Sequence, residues 1–135
     1  MPTIPWIKVN DAEAGGEMTV MASRFEVRSI WQVPGFFVTS MRLWRQALRS
    51  PGAIGVSLKA QPGRRIFWTL SSWTDKQAIH RYAATEPHRS GMRSKRGVMK
   101  ESTFVFWTAP ADSAEVAWAE AEARIAAERA SGPSA

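Results

Sequence analysis

The sequence predicts an α+β fold in which helices pack on an antiparallel sheet. Four segments have the length and residue types of strands, and two internal segments repeat apolar residues with a helical period. Their order is strand, helix, strand, strand, helix, strand, and one more helix follows. This βαββαβ order is ferredoxin-like and places both internal helices on one face of a four-stranded antiparallel sheet.

Apolar periodicity indicates the first strand and the first helix. EMTVMASRFEV, from Glu17, places Met18, Val20 and Ala22 on one face of a strand. PGFFVTSMRLWRQALRSPG follows, with apolar residues at the i, i+4, i+7 and i+11 spacing of one helix face. They are Phe37, Met41, Trp44 and Leu48. The prolines and the final glycine limit this helix at both ends.

A hairpin comes next, and its second strand is apolar on both faces. AIGVSLKA and RRIFWTLSSW are separated by QPGR, whose proline and glycine suit a tight turn. Trp68 and Leu70 point one way, while Phe67 and Trp73 point the other. Because one layer of helices covers only one face, we expect a second copy of the sheet or a ligand to cover the other.

The last third of the chain completes the pattern. TDKQAIHRYAAT predicts a second helix capped by Thr74 or Asp75, EPHRSGMRSKRG has no periodicity, and ESTFVFWTAP predicts the fourth strand. An Asp112–Glu115 capping box and a Glu120–Arg124 pair indicate a C-terminal helix.

We expect three parts in the chain. They are an N-terminal arm at residues 1–16, one ferredoxin-like domain at residues 17–110, and a C-terminal helix with a frayed tail at residues 111–135.

Composition excludes several classes of function. The chain has no cysteine, which excludes disulfides, thiolate metal sites and a cysteine nucleophile. No apolar run approaches the roughly 18 residues of a membrane span, and the first residues lack the layout of a secretory signal, so we expect a cytoplasmic protein. The net charge of +6 indicates either an anionic partner or simply a basic, soluble surface.

Four segments resemble the antibiotic-biosynthesis-monooxygenase type of dimeric α/β barrel. They are RFEVRSIW, LWRQALRSPGAIGVSL, FWTLSSWTDKQAIHRYAATEPHRSGMR and FVFWTAP. Within that superfamily the chain is most similar to spheroidene-monooxygenase-like proteins. The resemblance implies a homodimer whose sheets face each other, with a cleft between the sheet and the helices of each subunit.

The resemblance also limits the range of possible functions. Some relatives oxidise polycyclic aromatic compounds without a cofactor, others bind or degrade haem, and some have no demonstrated activity. It therefore implies a monooxygenase-like protein that acts on a bulky apolar or aromatic small molecule, with either no cofactor or haem. The fold does not decide whether the chain is an enzyme.

His88 is the preferred candidate for proton transfer, and it would be the metal ligand only if haem is bound. It lies in the segment TEPHRSGM, where haem-degrading relatives keep their ligand histidine. Tyr82 is a second candidate for proton transfer, while His80 is expected to face solvent. The first strand lacks the asparagine that those haem degraders use, and Tyr82 replaces their tryptophan, which counts against haem degradation.

Two tryptophans and two arginines are candidates for substrate binding. Trp44 and Trp68 are expected to line the cleft, since aromatic side chains favour flat apolar ligands. Arg42 and Arg45 are expected at the cleft mouth, where a guanidinium group would bind a planar anion. The competing interpretations are core packing for the tryptophans and a solvated helix face for the arginines.

Two other functions remain open. The chain is either a non-catalytic dimer that binds haem or another small molecule or, less well supported, an RNA-binding RRM domain with the same order of elements. The third strand has Arg65 and Phe67 where an RRM has a glycine and a small residue, so nucleic acid is the weaker prediction.

Overall fold

The computed structural model describes residues 3–9, 16–86, 88–110 and 118–131. The strands of this described part are β1 (Thr3–Lys8), β2 (Glu17–Val27), β3 (Ala53–Gln61), β4 (Ile66–Trp73) and β5 (Met99–Pro110). Its α-helices are α1 (Val33–Arg49), α2 (Lys76–Ala84), α3 (His88–Lys95) and α4 (Trp118–Ala130). The predicted α+β class is confirmed. None of these helices is long and apolar enough to cross a membrane.

The sheet is antiparallel throughout, with strand order β1-β3-β4-β2-β5. Strands β2 to β5 are the four predicted strands in ferredoxin-like order. β1 lies beside β3, with Thr3 opposite Lys59. The expectation of a loose arm at residues 1–16 missed this strand, because TIPWIK is short and contains a proline, a residue typical of edge strands or loops.

One face of the sheet is covered by α1, α2 and α3. Trp73 is fully buried there and packs with Ala47 of α1 and Ala78 of α2. The Asp75 side chain accepts a hydrogen bond of 2.8 Å from the backbone N–H of Ala78, which confirms the predicted cap of α2.

The apolar face of α1 is rotated from the predicted one. Phe37 was expected inside, yet 45% of it is exposed, whereas Phe36 is 4% exposed. The Phe36 ring lies 4.7 Å from that of Phe67 and 5.9 Å from that of Phe25. Consecutive phenylalanines offer two helix faces about 100° apart, and aromatic packing with the sheet selects the first of them.

The opposite face of the sheet is covered by α4 of the same chain. Ala121 and Ile125 are buried against an apolar cluster that includes Val20 and Leu70. Salt bridges join α4 to the strands as well, from Lys59 to Glu122 at 2.7 Å and from Arg129 to Glu101 at 2.7 Å. The expectation that the second face of the sheet is uncovered is therefore wrong. The homodimer expected to cover that face stays a prediction.

Other expectations for the C-terminal helix have separate outcomes. The predicted pair of Glu120 and Arg124 is confirmed, with their charged atoms 3.0 Å apart. The predicted capping box at Asp112 and Glu115 lies outside the described residues.

α3 occupies the segment that was expected to be irregular. Its sequence, HRSGMRSK, has no apolar stripe, and none of its residues is fully buried. The helix lies close to α1 through Gly91, where an added Cβ would be 3.3 Å from side-chain atoms of Thr39 and Leu43. Tertiary contact rather than periodicity therefore accounts for this helix.

Gly52 links α1 to β3 in a conformation that other residues adopt poorly. Its φ is +88°, and an added Cβ would lie 2.6 Å from Cβ of Ala78. We expect Gly52→Ala to lower the free energy of unfolding by about 2 kcal/mol through strain and overpacking. Urea denaturation measures this. Gly63→Ala is the control, because nothing lies within 4 Å of a Cβ at Gly63. Equal losses in the two variants would contradict the prediction.

Candidate functional site

An apolar cavity lies between the sheet and the helices α1 and α3. Its volume is about 80 Å³. Strands β2 and β4 contribute Met21, Phe25 and Trp73 to its lining. α1 contributes Phe36, Leu43 and Trp44, and α3 contributes His88, Met92 and Lys95. The predicted cleft between sheet and helices is therefore present, and it brings together Trp44, Tyr82 and His88.

Two residues that line the cavity each have a buried polar side-chain atom without a hydrogen-bond partner among the described residues. The atoms are Nε1 of Trp44 and Nδ1 of His88. The indole N–H is only a donor, whereas Nδ1 of a neutral imidazole protonated at Nε2 is an acceptor. Since a buried polar group without a partner is costly, these two atoms are the candidate donor and acceptor for a ligand of this cavity. Ser72 Oγ and Trp107 Nε1 are similarly buried but lie outside this cavity.

His88 is held as a neutral base. Burial lowers the pKa of His88, and a hydrogen bond with the backbone of Ala83 opposes this only in part. Its ring packs edge-on against that of Tyr82, with centroids 4.5 Å apart. At neutral pH the imidazole is therefore uncharged and able to accept a proton from a bound molecule.

Tyr82 is less suited to the proton transfer expected of it. Its hydroxyl donates a hydrogen bond of 2.9 Å to the backbone carbonyl of Leu43, and burial raises its pKa. The phenol therefore keeps its proton at neutral pH. The ring packs against Trp73, at 5.1 Å between centroids, so Tyr82 acts as a wall of the cavity.

Gln46 of α1 connects α2 with α3, which sequence reasoning did not foresee. Its Nε2 donates to the carbonyls of Tyr82 and Thr85, at 2.9 and 3.1 Å. Its Oε1 accepts a hydrogen bond of 2.7 Å from the backbone N–H of His88. One side chain thus joins the end of α2 to the start of α3 and positions His88. No local pattern distinguishes this glutamine from a solvated one.

Trp68 lies on the other face of the sheet and does not line the cavity. Its ring faces Lys59 and Arg24, with the charged groups 4.9 and 5.5 Å from the ring centroid. Its Nε1 donates to Gln61 at 2.9 Å. The predicted placement of Trp68 is corrected here, because side-chain alternation puts residue 68 opposite Phe67, whose side the helices cover.

Arg42 and Arg45 also lie away from the cavity. Both line an outer groove between α1 and α2 rather than the mouth of the cavity. The cation in the cavity lining is instead Lys95, which is partly buried. The predicted contact of Arg42 and Arg45 with a cavity ligand is therefore not supported by their positions.

The cavity does not fit haem in this conformation. His88 supplies a suitable ligand atom, but about 80 Å³ is far below the roughly 300–1,000 Å³ typical of organic ligand sites. Within the described residues, no group of three or more His, Asp or Glu side chains is arranged to hold a metal ion.

Solved structures with the same fold support the predicted architecture. SnoaB from Streptomyces nogalater, described as a cofactor-independent oxygenase, has a TM-score of 0.59 at 20% identity, covering 70% of this chain and 94% of that one. A structure described as an antibiotic biosynthesis monooxygenase gives 0.59 at 15% identity, covering 67% and 95%. A conserved protein from Methanosarcina mazei gives 0.60 at 14% identity, covering 67% and 90%.

Structural similarity and family membership show different degrees of relationship for this chain. At these identities the structural likeness shows the fold alone, and similarity to spheroidene-monooxygenase-like proteins stays a prediction. No curated protein matches the chain. A family model does match it over residues 30–135, most of its length. The chain therefore belongs to the family described as domain of unknown function (DUF3291).

Proposed function

We propose that this chain is a monooxygenase-like protein that oxidises a bulky apolar or aromatic small molecule in the cavity between the sheet and α1 and α3. The observation that carries the proposal is an apolar cavity lined by Trp44 and His88, each of which has a buried polar atom without a hydrogen-bond partner among the described residues. Two structures of the same fold are described as monooxygenase or oxygenase, which supports this class of reaction.

The proposed chemistry needs molecular oxygen but no resident cofactor. Nδ1 of His88 removes a proton from an acidic methylene group of the substrate, and the N–H of Trp44 stabilises the enolate oxygen. The carbanion carbon forms a bond to O₂, which accepts its electron pair, and the proton returned by His88 completes a hydroperoxide. Loss of water from the hydroperoxide leaves a carbonyl, so that one oxygen atom enters the product and the other leaves as water.

The substrate requires a larger space than the cavity provides. α3 forms one wall of it and has no fully buried residue, so its outward movement costs less than movement of the sheet. We propose that α3 moves away from α1 to admit the substrate and then returns, which excludes water from the reaction.

Anthrone tests this proposal, because it is a flat tricyclic ketone with an acidic methylene group. We expect the protein to raise the rate of O₂ uptake by anthrone at least about tenfold above the spontaneous rate. His88→Gln should remove most of that increase, and Trp44→Phe should weaken anthrone binding. An oxygen electrode measures uptake, and tryptophan fluorescence measures binding.

His80→Gln is the matched control, because His80 is exposed and lies outside the cavity lining. It should leave the rate within about twofold of the original. Because burial lowers the pKa of His88, the neutral base persists below the ordinary histidine pKa of about 6.5, and the rate should fall only as the pH drops further. An uptake rate at the spontaneous level in the unaltered protein would reject the oxygenase proposal.

Binding without oxygen uptake would favour the second candidate, a non-catalytic small-molecule-binding protein. A haemin absorption band that depends on His88 would identify haem as that molecule. The RRM alternative is weaker, because α4 covers the sheet face that an RRM uses for RNA. A homodimer and a cytoplasmic location stay predictions.

A further inference from the structure

The helical layer on one side of the molecule is strongly basic. Helices α1, α2 and α3 together contain eight lysine and arginine residues and no aspartate or glutamate. The whole chain has a net charge of only +6, so the positive charge is concentrated on this layer. This arrangement gives the layer a positive potential, which attracts anions.

Within this layer, four arginines line a groove between α1 and α2. Its volume is about 560 Å³, within the range of organic ligand sites. The four are Arg42, Arg45, Arg49 and Arg81. Those of α1 are three and four residues apart, so they lie on one side of the helix at roughly 4.5 and 6 Å intervals along its axis.

None of these four arginines forms a salt bridge with another of the described residues. Glu86 is the acidic residue that the structure describes in the groove lining. Its carboxylate accepts hydrogen bonds from the backbone N–H and the hydroxyl of Ser90. These bonds lower the pKa of Glu86, so its charge is already stabilised by α3. All four arginines are exposed to solvent, so their guanidinium groups are accessible to a ligand.

We propose that this groove binds a small molecule carrying at least two phosphate or carboxylate groups. A guanidinium fork binds either group in a bidentate way, and one anionic group cannot reach arginines spread over about 10 Å of helix. The groove is bounded by two helices and has the volume of a small-molecule site. An extended polyanion would instead contact the whole basic layer, including Arg89 and Arg93.

This site is distinct from the cavity and does not depend on the proposed oxygenase function. The cavity is apolar and contains none of the four arginines. Tyr82 belongs to both linings, and Gln46 lies in the groove while it holds the backbone of His88. A ligand in the groove would therefore lie next to the residues that position His88.

Isothermal titration calorimetry with inorganic triphosphate and, separately, with citrate tests the proposal. We expect one anion per chain for at least one of the two probes, with a Kd below about 100 μM at low salt. The double variant Arg45→Gln/Arg81→Gln should bind at least about tenfold more weakly. A preference for triphosphate would identify phosphate as the recognised group, and a preference for citrate would identify carboxylate.

Arg64→Gln/Arg96→Gln is the matched control, because it removes the same charge at exposed positions outside the groove. It should change the affinity by less than about twofold, with both double variants keeping their unfolding free energy. Equal weakening in the two double variants, or no binding of either anion at about 1 mM, would overturn the proposal. So would tighter binding of a single-stranded oligonucleotide that both double variants weaken equally.

Discussion

Ala121→Asp is expected to lower the free energy of unfolding by about 3–5 kcal/mol, because it buries an unpaired carboxylate between α4 and the sheet. Ala121 is 0% exposed and belongs to an apolar cluster with Met18, Val20 and Ile125. Two cations on this side of the sheet, Lys59 and Arg124, already pair with Glu122 and Glu120, so the new charge gains no partner of its own from them. Urea denaturation followed by circular dichroism measures the loss.

The same variant is expected to self-associate. Release of α4 would expose the apolar residues of β2 and β4 that it covers, and a large exposed apolar surface favours association. Light scattering measures the mass at several concentrations. Ala123→Asp is the matched control, since Ala123 is exposed on the same helix. The role assigned to α4 would be rejected if both variants lost the same stability and kept the same mass.

The alternation of side chains was enough to predict how β5 faces its surroundings. A period of two puts Phe104 and Phe106 on one face of β5 and Val105 and Trp107 on the other. In the structure Phe104 lines the cavity, whereas Val105 and Trp107 pack against the apolar cluster under α4. A strand has a period of two residues, so local sequence determines which side chains share a face. It does not determine which face a distant helix covers.

That second question is where the sequence predictions failed. β4 is apolar on both faces, so its pattern is compatible with either placement of the helical layer, and Trp68 was assigned to the wrong one. α4 has only a few apolar anchors, and the strands it covers are distant in sequence. Its docking depends on contacts of long sequence separation, including that of Lys59 with Glu122, which no local period encodes.

The candidate site was predictable to the extent that it depends on residue type. His88 and Trp44 were selected because histidine and tryptophan carry useful chemistry, and both line the cavity. Arg42 and Arg45 were selected for the same reason, yet they lie on the outer side of α1. Successive side chains of α1 are rotated by about 100° around the helix axis. An error of one residue in the assumed inner face therefore moves a side chain from the cavity to the groove.

Gln46→Leu is expected to lower the free energy of unfolding by about 3 kcal/mol, since each of its three hydrogen bonds contributes about 1 kcal/mol. The larger effect is expected to be local. Without Gln46 the N–H of His88 and the carbonyls of Tyr82 and Thr85 lose the partner that joins α2 to α3. Amide hydrogen exchange should therefore accelerate more in α3 than in the central strands, whose protection falls only with the global free energy of unfolding.

Two further variants distinguish a role of Gln46 in positioning His88 from a general contribution of Gln46 to stability. Gln46→Glu keeps an acceptor for the His88 N–H but has no donor for the two carbonyls, so it should protect the start of α3 better than Gln46→Leu does. Gln77→Leu is the matched control on an exposed face of α2 and should leave exchange in α3 unchanged. If Gln46 only filled space, leucine would serve as well as glutamine, and exchange in α3 would match that of the control. A larger acceleration of exchange in α3 than in the central strands would instead assign Gln46 to the placement of His88, because the base is held where the backbone of α3 begins.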